Sequence, residues 1–114
     1  MNIYAYLKRA YALKRLTTVF ERFVGMASNE PVAAGQRLQN TQAMSYWLDH
    51  LRGNSPLEIT DTLFRQMKGS RRRGDALRFN SQTVLLELLV ESNLALDLAS
   101  YSAFKWGDAR QEGS

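Results

Sequence analysis

Three adjacent arginines, Arg71-Arg72-Arg73, are the most conspicuous chemistry in this sequence. A guanidinium is planar and carries a fixed fork of donors, so it can grip a phosphate or a carboxylate with two parallel hydrogen bonds. Arg65 and Lys68 lie one turn apart on the preceding helix, and Arg78 begins the next element. Together these six cations could form a patch for a polyanion or for an acidic protein surface. The same residues also suit a plain solvated loop. A second candidate lies near the start, where Tyr4 and Tyr11 are seven residues apart and Lys8 and Arg15 continue the same side. Tyrosine beside lysine or arginine is the composition of protein-binding hot spots. It is also the composition of a basic helix lying on a membrane surface, a weaker reading here because the apolar face of this helix is needed for a core.

Catalytic chemistry finds little to work with. His50 is the single histidine, without an HxxxH or HExxH companion, and it reads as a structural side chain. Cysteine is absent, which removes disulfides, thiolate nucleophiles and cysteine metal sites. Glu87 and Glu91 are one helical turn apart and could share a metal or a proton, but a solvated helix face needs the same spacing. The repeated ExxH motifs of a di-metal bundle do not occur. There is no GxSxG elbow, no GxGxxG, and Gly69-Ser-Arg-Arg-Arg-Gly lacks the lysine and spacing of a phosphate-binding loop. The expectation is a protein that binds rather than catalyses, with no cofactor and no metal.

Charge placement supports that expectation. The net charge is +4. Residues 1–53 hold seven basic and three acidic residues, residues 54–114 eight of each, and beyond residue 83 the balance turns acidic. Such asymmetry suits electrostatic recognition. The start, Met1 to Arg9, lacks the basic-then-apolar order of a signal peptide, and no run approaches the 18 or so apolar residues of a membrane span. A cytoplasmic location is expected.

The elements that must position these residues all read as helices. Residues 3–26 show a 3.6-residue period, with Ile3, Tyr6, Leu7, Ala10, Leu13, Leu16, Phe20, Phe23 and Val24 on one broad face. Arg9 interrupts that face, and its stem could snorkel. A second helix is expected from Pro31 to Arg52, with Gly53 as its stop. Ser55-Pro56-Leu57-Glu58 is a capping box with proline at the first helical position, opening a third helix to about Lys68. Ile59, Leu63 and Met67 are its apolar stripe. Gly69 to Asp75 reads as a surface loop. A last long helix is expected from Asp75 or Asn80 to about Phe104. Its centre, residues 83–90, could be a buried strand by apolarity alone, but leucine dominates over β-branched residues and favours helix.

With 114 residues, ordinary globular composition and short connections, the chain reads as a single all-α domain over residues 1–106, a small antiparallel bundle or array of four to five helices. Residues 107–114 read as a polar tail. A small core and wide leucine coverage on the last helix predict a homodimer through residues 84–99 or the exposed side of the first helix. Helices 31–52 and 56–68, with their short turn, also resemble a helix-turn-helix in spacing, although Glu58 and Asp61 would present carboxylates to phosphates. The expected function is a protein-interaction module that regulates or inhibits a macromolecular partner with an acidic surface. The alternative is a nucleic-acid binder using Arg71–Arg73.

Overall fold

A computed structural model describes the backbone of residues 3–25 and 34–103, and the side chains of residues 3–22 and 41–103. The described residues form helices α1 (Ile3–Gly25), α2 (Ala34–Asp49), α3 (Pro56–Arg72) and α4 (Ala76–Glu91), with a short helix, α5, over residues 98–103 and no strand. Residues 83–90 are helical throughout. The expected tail at 107–114 lies outside the described residues.

Helix α1 is the hub, with α2, α3 and α4 all packing against it and α3 also packing on α4. The interior is built from Ala12, Leu13, Leu16 and Phe20 of α1, Leu51 of the α2–α3 turn, Ile59, Leu63 and Met67 of α3, Leu85 and Leu89 of α4, and Ala95. The stripe Ile59–Leu63–Met67 is therefore buried as its i, i+4, i+8 spacing predicts. Hydroxyls that share this interior bond back to the carbonyl four residues earlier, as Thr17 does to Leu13 and Ser81 to Leu77, each at 2.8 Å. These buried hydroxyls are thereby satisfied within their own helix.

Three helix ends differ from the expected ones. Helix α2 stops at Asp49, and three i→i+3 bonds then tighten the chain through Arg52 before Gly53, at φ +90°, turns it. Helix α3 does not end at Gly69. It continues one more turn to Arg72, burying Ser70 and capping on Arg73. Gly74 then takes φ +68°, its N–H donating to the Arg71 carbonyl at 3.1 Å, while Asp75 N–H donates to Ser70 at 2.9 Å. This is a Schellman motif, and it falls on the second of two glycines that could have hosted it. Asp75 at once caps α4, its carboxylate accepting the Arg78 N–H at 3.0 Å.

Helix α4 ends by the same device, well short of residue 104. Asn93 adopts φ +61°, and the N–H groups of Asn93 and Leu94 donate to Val90 and Leu89 at 3.0 and 2.8 Å. Asparagine tolerates the left-handed region better than most residues because its short polar side chain can hydrogen-bond locally. The chain then folds back onto α3. Leu96 N–H donates to Thr60 Oγ1 at 2.8 Å, Tyr101 donates to Asp61 at 3.0 Å, and the Tyr101 ring stacks on Phe64 with centroids 4.7 Å apart.

The buried face of α1 is also rotated from the expected one. Ile3 and Leu7 are exposed, whereas Arg9, Ala12 and Val19 are buried. The physical cause is a polar socket at the start of α3. Arg9 Nε donates to Thr62 Oγ1 at 2.8 Å, its NH1 donates to Asn54 Oδ1 at 2.9 Å, and the Glu58 carboxylate lies 3.6 Å away. A charge with that many partners is stable inside, and it turns the helix about its axis. No helix among the described residues is long and apolar enough to cross a membrane.

Candidate interaction surfaces

Rotation of α1 leaves a row of large apolar side chains facing outward. Ile3 is 69% exposed, Tyr4 75%, Leu7 58% and Tyr11 54%. Ile3, Leu7 and Tyr11 follow i, i+4, i+8, and Tyr4, Lys8, Tyr11 and Arg15 run beside them with i, i+4, i+7, i+11 spacing, so the two rows form one strip. Lys8, Lys14 and Arg15 are exposed as well. The expected Tyr4–Lys8–Tyr11–Arg15 side of α1 thus lies together on the surface.

Helix α2 extends this strip with aromatic rings. Tyr11 meets Trp47 edge-on at 5.3 Å between centroids, and Tyr46 meets Trp47 edge-on at 4.9 Å. The Arg15 guanidinium carbon sits 5.9 Å from the Trp47 ring centroid, within cation–π range. His50 closes the cluster, 4.6 Å from Tyr46 and 5.0 Å from Trp47, and its Nδ1–H donates to the Tyr46 carbonyl at 2.8 Å. That bond fixes the ring as part of the helix end. Tyr46 remains 57% exposed. The helical period alone places Ile3 and Leu7 in the core and does not mark Tyr46, Trp47 and His50 as part of a site. A signal was present, because Ile3, Leu7 and Tyr11 keep step with Tyr4, Lys8 and Arg15 on one side, and the chain has no acidic residue before Glu21.

The six-cation patch around Arg71–Arg73 is divided by the structure. Arg71 and Arg72 form the last turn of α3 and Arg73 is its cap, so only Arg73, Gly74 and Asp75 connect the helices. Lys68, Arg71, Arg72 and Arg73 are exposed. Arg65 pairs with Asp61 one turn earlier, Nε to Oδ2 at 3.1 Å. Arg71 lines a cleft of about 360 Å³ together with Asp75, Phe79 and Asn80. Arg78 points away from this group and into the α1–α4 contact. It pairs with Glu21 and donates to Thr18 Oγ1 and the Lys14 carbonyl, each at 3.2 Å. That role is to hold α4 against α1.

A third surface has the opposite character. Phe64, Met67, Phe79, Leu86, Val90 and Leu98 line an open, mainly apolar groove of about 590 Å³. Glu87, Glu91 and Asp97 stand at its edge. Ser100 N–H donates to Asp97 at 2.7 Å, and this bond, with a second from the Ser100 hydroxyl at 3.1 Å, holds the Asp97 carboxyl below its ordinary range. Helix α4 alone did not reveal this groove in the sequence, because the fold-back at Asn93 brings Asp97 and Leu98 to it.

Among the described residues no group of three histidine, aspartate or glutamate side chains is placed to hold a metal ion. Glu87 and Glu91 are exposed. Comparisons with known protein families, with curated proteins and with solved structures find no match to this chain.

Proposed function

We propose that this chain is a non-enzymatic protein-interaction module that engages a macromolecular partner through the α1–α2 face and thereby regulates or inhibits it. One observation carries the reading: five large apolar or aromatic side chains, Ile3, Tyr4, Leu7, Tyr11 and Tyr46, are each more than half exposed on a helix pair. Leaving that much apolar surface in water is unfavourable, and contiguous patches of this kind mark interaction sites. Lys8, Lys14 and Arg15 border the strip without an intervening carboxylate, so the partner surface it fits is apolar at its centre and acidic at its rim. Trp47, packed between Tyr11, Tyr46, His50 and Arg15, makes the face a firm platform rather than loose side chains.

A second reading has its own support in the exposed cations at the end of α3. Lys68, Arg71, Arg72 and Arg73 could bind the phosphate backbone of a nucleic acid. A helix-turn-helix mode draws less support, since the outer side of α3 carries Glu58 and Asp61 in its first half, where base contacts would be made.

The two readings separate in a pull-down from nuclease-treated native lysate. The baits are the wild-type chain, a Lys8→Glu/Tyr11→Ala/Arg15→Glu variant and an Arg71→Ala/Arg72→Ala/Arg73→Ala variant. The expected result is a stoichiometric protein partner held by wild type and by the Arg71–Arg73 variant but lost from the α1 variant. Capture unchanged by the α1 substitutions rejects the α1–α2 face. Tight binding of purified wild type to plain duplex or single strands, lost in the Arg71–Arg73 variant, with no protein captured, establishes the nucleic-acid reading instead.

A further inference from the structure

We infer that the acid-rimmed groove of α3, α4 and the 92–98 turn takes the α1 face of a second copy of this chain; the inference rests on the reading of that face as a binding surface. The two surfaces match in charge. From Met1 to Phe20 the chain holds no acidic residue, and Lys8, Lys14 and Arg15 flank the exposed apolar strip. Between Arg78 and Lys105 it holds no lysine or arginine, and Glu87, Glu91 and Asp97 rim the groove. The charged side chains that line the groove are thus all acidic and those that flank the strip are all basic, and each surface has an apolar centre of the kind the other could cover.

They match in length too. Ile3 to Tyr11 spans roughly 12 Å along α1, and Phe79 to Val90 spans roughly 16 Å along α4, at about 1.5 Å per residue. A groove of about 590 Å³ is large enough for several side chains of the strip, and Leu98, at 62% exposure, stands ready at its lip. The groove floor already contains Phe64, Phe79 and Met67, which suit aromatic and leucine anchors.

Such a contact joins two different patches, so it closes reciprocally into a two-fold pair or propagates head to tail, according to where the two patches lie relative to one another. The expected self-association through residues 84–99 or through α1 becomes one interface with those two halves. It also supplies a form of regulation. A copy whose α1 face lies in a neighbour's groove cannot present it to another acidic partner, so self-association and partner binding compete by mass action.

Analytical ultracentrifugation of the full chain tests this. The wild-type mass should rise above 13.0 kDa with concentration at low salt. The association should weaken about tenfold or more towards roughly 0.5 M salt, because the rim charges are exposed to screening. Two variants, Glu87→Lys/Glu91→Lys and Lys8→Glu/Arg15→Glu, should each remain monomeric alone with an unchanged helical circular dichroism spectrum. Mixed in equal amounts, they should associate again, since the mixture restores one wild-type pairing. A wild type that stays monomeric at low salt throughout the concentration range overturns the inference, as does a mixture that fails to associate or a dimer that both variants retain. If self-association is absent but the Lys8→Glu/Arg15→Glu chain still loses a captured acidic partner, only the second-copy inference falls. If that chain keeps its partner, the reading of the α1 face falls with it.

Discussion

Arg9 Nε donates to Thr62 Oγ1 at 2.8 Å, and this buried bond ties α1 to α3. Thr62 donates its own proton to the Glu58 carbonyl at 2.8 Å, so its hydroxyl serves as both donor and acceptor. Arg9 also approaches the Tyr6 ring, 5.4 Å from its centroid. Loss of Arg9 therefore removes a charge-assisted bond to Thr62, another to Asn54, and the packing of a long stem. Arg9→Ala should destabilise the fold by about 2–4 kcal/mol. Arg9→Met should cost less, because the stem volume is kept and Thr62 retains its bond to Glu58. Urea denaturation measures both. An Arg9→Ala midpoint within error of wild type would show that the socket contributes nothing.

The end of α3 gives a paired prediction on two glycines. Gly69 lies inside the helix, and a Cβ added there meets only the far end of the Arg73 side chain, at 3.2 Å. That side chain can move. Gly69→Ala should therefore stabilise the protein by about 0.5–1 kcal/mol through helix propensity. Gly74 holds φ +68°, and Gly74→Ala should destabilise by about 1 kcal/mol or more. Asn93→Gly, at φ +61°, should be neutral or stabilising for the same reason. Thermal melts of the three variants decide the matter. If Gly69→Ala is the destabilising one, the helix ends where the first glycine stands.

These glycines show how far the sequence could be read. Helix type, the capping box at Ser55, the Ile59–Leu63–Met67 stripe and the choice of helix over strand at residues 83–90 follow from local rules, and each is observed. The α3 end was ambiguous because Gly69 and Gly74 both satisfy the local rule, and only burial of Ser70 selects between them. The α4 end was hidden because Asn93 is a weaker stop signal than glycine, and Leu96 N–H finds its partner on Thr60, 36 residues away. The candidate surfaces were legible in part. Tyr4, Lys8, Tyr11 and Arg15 keep one side by helical period alone. Arg78 could not be separated from Arg71–Arg73 without knowing that Glu21 and Thr18 lie beside it.

The rotation of α1 makes Leu7 and Leu13 unequal. Both fit the same apolar period, but Leu7 is largely exposed and Leu13 is fully buried. Leu7→Ser should change stability by no more than about 0.5 kcal/mol, the usual range for a surface site. Leu13→Ala should cost about 2–5 kcal/mol, from lost burial and the cavity left behind. Denaturant unfolding of the two variants checks the contrast. A large loss at Leu7 would place it in the core and remove the apolar strip from the surface.

Acid should weaken the fold through Glu58. Ser55 N–H donates to its carboxylate at 3.1 Å, and the Glu58 N–H donates to the Ser55 hydroxyl at 3.1 Å. The backbone bond from Ser55, then the Ser55 side chain, and finally the nearby Arg9 charge hold the Glu58 carboxyl below its ordinary range, against a small opposing cost of burial. A carboxyl whose folded-state pKa is depressed binds its proton more readily in the unfolded chain. Its contribution is therefore complete above the unfolded value, about 4.3 for glutamate, and is lost as the pH falls through the lower folded value. Asp97 acts in the same direction through Ser100. The urea midpoint should stay level from neutral pH down to about 5 and then decline. Glu58→Gln should lower the midpoint at neutral pH and flatten the decline, because glutamine can still accept from Ser55 but has no charge to lose. Curves for wild type and Glu58→Gln that remain parallel through the acid range would remove Glu58 as a source of the acid sensitivity.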